Sequence, residues 1–287
     1  MLIWDFLFSG VMDEIVNWCY GQVIGFLGNF FATMASMGAD LFGLDPIQGI
    51  VRFFRYLGWA LYAVGLLVAM FETAIEHQSG RGNLKESGLN AIKGFMAASL
   101  FTIVPVELYA FSVNMQGSLT AGLTNYGNYD ALADAAKAAL EAVEINIGTY
   151  NPLTLLFVVI MMAYAIIRVF FGNLKRGGIL LIQISVGSLY MFSVPRGYID
   201  GFMHWVKQVI GLCLTTFLQG TFLAIGLLVI PHHPILGLGL MLAASEVPRV
   251  AGAFGLETST RANVMSVVYT AQAAVNTTKT IVQAVGK

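Results

Sequence analysis

Charge is what this chain has least of. Only 11% of its 287 residues are Asp, Glu, Lys or Arg, and 57% are hydrophobic; an ordinary soluble domain carries about 25% charged residues. The 15 Lys and Arg are offset by 16 Asp and Glu, and no long basic run marks a dedicated nucleic-acid-binding domain. Cysteine is nearly missing. Cys19 and Cys213 lie far apart in apolar surroundings, which excludes a disulfide framework and predicts two inert buried thiols. A nucleotide motif is missing as well: the run Gly80-Arg-Gly-Asn-Leu-Lys-Glu-Ser87 fails the G-x-x-x-x-G-K-[ST] spacing and follows no strand, so it reads as a polar turn. His232 and His233, flanked by Pro231 and Pro234 with no carboxylate or cysteine beside them, read as a turn rather than a metal site. No catalytic group, metal or cofactor is expected, and the chain is not expected to be an enzyme. The start has no basic stretch and carries Asp5, Asp13 and Glu14, unlike a cleavable signal peptide.

What the chain has instead is apolar length. Residues 53–71, 89–113, 152–171, 179–194 and 209–230 are each close to membrane-spanning, and none carries a charge near its midpoint. The sequence therefore predicts an all-α, polytopic integral membrane protein with about five transmembrane helices, plus amphipathic N-terminal, central-loop and C-terminal helices. Carriers driven by ion gradients keep an ionisable group near the bilayer centre. Its lack predicts a passive conduit or platform. Lys93 and Glu107 fall towards the ends of the second span, within snorkelling reach of the headgroups, and Pro105 predicts a kink there. Lys175, Arg176, Gly177 and Gly178 read as a turn between the third and fourth spans.

Six segments follow from this pattern. Residues 1–51 form an amphipathic N-terminal segment in which Asp5, Ser9, Asp13, Asn17, Gly21, Gly25, Asn29 and Thr33 recur every four positions; Gly21 and Gly25 have the small-xxx-small spacing of a close helix contact. A spanning helix at 15–37 is the alternative. Residues 52–113 hold the first two spans. Residues 114–151 form an acidic external loop whose helix, 130–147, has an apolar stripe including Leu132 and Leu140. That stripe covers the membrane domain or meets another subunit. Residues 152–230 hold the last three spans, and the fifth carries a mid-depth polar cluster, Thr215, Thr216 and Gln219, suited to bonding a neighbouring helix or to lining a conduit. Residues 231–257 form a re-entrant or interfacial segment after a turn, and 258–287 a cytoplasmic helical tail with a heptad-like seam. Counting Lys and Arg by connection gives ten against five, which places the N-terminus outside and the tail inside.

This layout resembles the TrbL-type polytopic inner-membrane subunits of conjugative type IV secretion systems. The closest local likeness is Ser245-Glu-Val-Pro-Arg-Val-Ala-Gly-Ala-Phe-Gly-Leu-Glu257, with Val247-Pro248 and Gly255 in the places of the family's post-membrane segment. The lack of a long hydrophilic C-terminal extension is similar to the compact version found on integrative or conjugative elements of Gram-positive bacteria. The resemblance implies a non-enzymatic channel or platform subunit, in a ring of identical copies, through which relaxase-led single-stranded DNA crosses the bacterial cytoplasmic membrane, with other secretion-system membrane subunits, separate ATPases and membrane lipids as partners. Lys175 and Arg176 would meet phosphate at the cytoplasmic mouth or serve as positive-inside anchors. Gly21, Gly25, Leu132 and Leu140 are the candidate oligomer contacts. A small-molecule transporter or permease and a phage- or toxin-type pore are the competing readings.

Overall fold

A computed structural model describes residues 40–80, 83–130, 132–143, 145 and 152–253, with isolated residues 14, 15, 18 and 22. Among these there is no strand. Eight helices follow in order: α1 (Asp45–Gln78), α2 (Leu84–Leu100), α3 (Ile103–Tyr126), α4 (Leu132–Val143), α5 (Pro152–Tyr190), α6 (Asp200–Val229), α7 (Pro234–Ala244) and α8 (Val247–Ala253). The protein is an all-α polytopic membrane protein. Three helices (α1, α5 and α6) are long and apolar enough to cross a membrane, and the count rises to five if the bent pairs α2–α3 and α7–α8 are each one span.

Local chemistry sets the helix ends. Pro46 stands in the first turn of α1, where its missing N–H costs nothing, and Gly80 beyond its C-terminus takes φ +75°, a conformation open to glycine. Asn83 caps α2: its Oδ1 accepts from the Glu86 backbone N–H at 3.3 Å, and its amide donates back to the Glu86 carboxylate at 3.4 Å. Pro105 acts as the sequence predicts. A helical proline clashes with the carbonyl four residues earlier, and the chain breaks at Phe101–Thr102 with a bend of 51° between α2 and α3. Past the bend α3 continues to Tyr126, so much of the expected external loop is the end of a helix.

The third and fourth expected spans prove to be one helix. α5 runs 39 residues without interruption, about 58 Å at 1.5 Å per residue. Gly177 and Gly178 do not turn the chain. No proline lies between Pro152 and Pro195, and in hydrocarbon a broken helix would leave backbone groups unsatisfied. This relocates the midpoint: Arg168, Lys175 and Arg176 now flank the centre of a helix instead of its end, so the expectation of charge-free span centres fails.

The merged helix also changes which connections share an end. In the turn between α5 and α6, Arg196 forms a two-point ion pair with Glu72 near the end of α1, Nε to Oε2 at 3.1 Å and Nη2 to Oε1 at 2.5 Å, while its guanidinium lies over the rings of Phe192 and Tyr198. Gly197 there takes φ +91°, and a Cβ on it would stand 3.0 Å from the Asn90 amide. Arg196 and Lys207 thus lie at the same end as Lys85 and Lys93, not opposite them. Among the described residues the other end has Arg52, Arg55 and Lys137, so Arg196 and Lys207 no longer stand on the side to which the ten-to-five count assigned them.

Two apolar clusters form the interior. The first joins Ala136, Ala139, Leu140 and Val143 of α4 to Val158, Met162 and Ile166 of α5, Leu223 and Leu227 of α6, and Met241 of α7. The second joins Ala98, Phe101 and Tyr109 to Leu180 and Ile184 of α5, Met191 just beyond its end, and Trp205, Val209 and Leu212 of α6. The α4 stripe therefore docks on its own chain: Leu140 is fully buried and Leu132 half-buried against that cluster, which leaves Leu140 no surface for a second copy. α6 and α7 meet backbone to backbone, since a Cβ on Gly237 would come within 2.7 Å of the Gly226 carbonyl.

The continuous helix is testable at Gly178, where a Cβ meets open space. Gly178→Ala should fold normally. Gly178→Pro should lose about 3 kcal/mol or more of stability, because a helix interior excludes proline. Thermal unfolding of the detergent-solubilised variants measures it; equal tolerance of both would mean that a turn sits there.

Candidate functional site: a buried polar layer around Arg176

Between the two apolar clusters lies a layer that neither supplies. α5 contributes Asn173 and Arg176, and α6 contributes Thr215, Thr216, Gln219 and Thr221; α3 adds Ser112 and Thr120. Arg176 is 5% exposed and Gln219 3%. The Arg176 guanidinium donates through Nη1 to Asn173 Oδ1 at 2.5 Å and through Nη2 to Gln219 Oε1. Gln219 stands at the middle of the apolar run 209–230, so this charge is held at mid-depth. No ion pair among the described residues involves Arg176. Among the described residues, the groups that accept from its guanidinium are the amide oxygens of Asn173 and Gln219.

Burying a cation without a carboxylate is tolerable only when its donors are met. The two amides serve this purpose, and the end of the Gln116 side chain packs against Gly220 in the space a Cβ there would take. Thr215 and Thr216 return their hydroxyls to their own helix, to Gly211 O at 2.6 Å and Leu212 O at 3.0 Å, and Ser112 does the same to Leu108 O at 2.8 Å. The Tyr109, Thr120 and Thr221 hydroxyls are buried and have no hydrogen-bond partner among the described residues. One layer further along, Gln183 donates to Gln208 at 3.0 Å and the Trp205 indole donates to Gln183 O at 2.7 Å. Together these bonds fix the register of α5 against α6.

The expected pair Lys175–Arg176 is split by the helix. Arg176 faces inward, whereas Lys175 is exposed together with Arg168 seven residues earlier, on the same face and about 10 Å away along the axis. Arg168 donates to the Tyr164 hydroxyl at 3.1 Å. Thr215, Thr216 and Gln219 come together with Arg176, but as buried ties between and along helices; none faces outward. Gly21 and Gly25 lie outside the described residues, as do the tail and its heptad-like seam. Cys213 is buried and free. The sequence reading did not find Asn173, Arg168 or the outward face of α5. The signal that could have found them is the proline-free run from 153 to 194, which argues against any turn at 175–178.

The profile of the family described as conjugal transfer protein TrbL matches residues 1–286. The chain belongs to that family, and so to the components of conjugal transfer by type IV secretion. Comparison with curated proteins and with solved structures gives no match.

The amide cage predicts unequal losses. Gln219→Leu leaves the buried guanidinium short of an acceptor and should cost about 3–5 kcal/mol, the range for breaking a buried charge partnership. Arg176→Met with Gln219→Leu removes charge and acceptor together and should recover most of that loss. Chemical unfolding in detergent measures both, and a double variant no more stable than Gln219→Leu would refute the cage.

Proposed function

We propose that this chain is a non-enzymatic, ring-forming channel subunit of a conjugative type IV secretion system in the bacterial inner membrane. Relaxase-linked single-stranded DNA crosses the cytoplasmic membrane alongside it, and separate ATPases supply the energy. Beyond family membership, the outward face of α5 carries this reading. Arg168 and Lys175 are exposed near the middle of an apolar helix, and Glu107 is exposed near the middle of the bent α2–α3 pair. A charge at bilayer depth costs several kcal/mol against lipid tails, so such residues face protein or water. Assembly supplies both: neighbouring copies cover part of this surface, and Arg168 and Lys175 turn towards an aqueous path where they meet phosphate without reading sequence. This moves the conduit contacts from Thr215, Thr216 and Gln219 to the cationic stripe of α5. In this arrangement the Glu72–Arg196 end faces the cytoplasm and the N-terminal end faces out.

The broken pair α7–α8, bent by 53°, favours a second reading, a small-molecule permease, because discontinuous helices at mid-membrane build transporter sites. Uptake by the purified chain alone in liposomes would support that reading.

In a conjugation assay Arg168→Glu with Lys175→Glu should lower transfer by at least about tenfold, since phosphate contacts act through cationic charge, while membrane abundance and native mass stay as in the parent. Parental transfer frequency with the charge-reversed protein, or a strictly monomeric native mass for the parent, would overturn the proposal.

A further inference from the structure

At the Glu72–Arg196 end a polar cleft adjoins an apolar cavity. The cavity has a volume of about 450 Å³ and sits in the angle of the α2–α3 bend, walled by Met96, Leu100, Phe101, Phe202, Met203 and Val206. Its size falls within the range of small-molecule sites. The cleft is lined by side chains of opposite kind, among them Glu72, Glu76, Glu86, Lys93 and Arg196. Lys93 and Ile199 border both spaces, so a molecule with a polar head and an apolar tail can occupy them as one site.

The charges select the head. Arg196 is consumed by its two-point pair with Glu72, which makes that pair a neutral floor. Among the described residues that line the cleft, what remains is one exposed ammonium, Lys93, which donates to Asn90 Oδ1 at 3.4 Å, and two exposed carboxylates, Glu76 and Glu86. A phosphate fits beside Lys93, and a primary ammonium fits beside the carboxylates. A purely anionic head would meet two like charges for one opposite charge. We propose that this cleft and cavity form a binding site for a phospholipid with a zwitterionic, amine-bearing head, of the phosphatidylethanolamine type. An acyl chain fills the angle between α2 and α3, and the head bridges Lys93 to Glu76 and Glu86. The bend at Phe101–Thr102 that Pro105 forces is what makes room for the chain. The site stands independently of the conduit reading.

Native mass spectrometry of the full chain, delipidated in detergent and titrated with phosphatidylethanolamine or phosphatidylglycerol of identical acyl chains, tests it. The parent should retain phosphatidylethanolamine at roughly tenfold lower concentration than phosphatidylglycerol, a discrimination typical of a few placed polar contacts. Glu76→Gln with Glu86→Gln, both exposed, should abolish the preference, and Lys93→Ala should weaken both lipids. Val206→Phe should reduce retention by filling the cavity. Equal retention of the two lipids by the parent overturns the head assignment. Retention unchanged by both Lys93→Ala and Val206→Phe would mean ordinary surrounding lipid and overturn the site.

Discussion

A backbone in hydrocarbon has nowhere to send an unpaired N–H or C=O, and this constraint shapes the rest of the molecule. It keeps α5 helical through Gly177 and Gly178, where a soluble protein could turn. From that continuity follow the shared end of the Glu72–Arg196 pair, the central position of Arg176, and the outward stripe of Arg168 and Lys175. Where the chain does break, a proline compels it, as at the bend before Pro105, or paired backbones accommodate it, as where Gly226 meets Gly237.

The interior has two kinds of adhesive with different roles. The apolar clusters supply area but fix register weakly, because lipid competes for apolar side chains almost as well as protein does. The layer between them adds direction. Arg176 can satisfy its donors with α6 in one register only, and Trp205 with Gln183 and Gln208 repeats that restriction further along. Specificity thus comes from the few polar side chains, and they are the ones an apolar sequence can least easily substitute.

Much of this was legible in the sequence. The helical class, the apolar runs, the bend caused by Pro105 and the amphipathic stripe of α4 all follow from composition and spacing. The misread point is instructive. Lys175-Arg176-Gly177-Gly178 has the composition of a span end, and only its pairing partner reveals otherwise. That partner, Gln219, lies 43 residues away, and the pair that sets which connections share an end, Glu72 with Arg196, spans 124 residues. No local window contains either relationship. The split of Lys175 from Arg176 has the same origin: adjacent residues on a helix point about 100° apart, but that matters only once the segment is known to be a helix.

The placement of Arg176 also bears on how the chain enters the membrane. A helix with Arg168, Lys175 and Arg176 about its centre inserts poorly alone, at about 2.5–3.5 kcal/mol for each central cation. The turn joining α5 to α6 is short, and the partner amide of Arg176 rides on the incoming α6. The two helices are therefore best integrated as a hairpin, with Arg176 finding Gln219 before either is released to lipid. Asn173 meets one face of the guanidinium within α5, and the second acceptor arrives only when α6 has been synthesised.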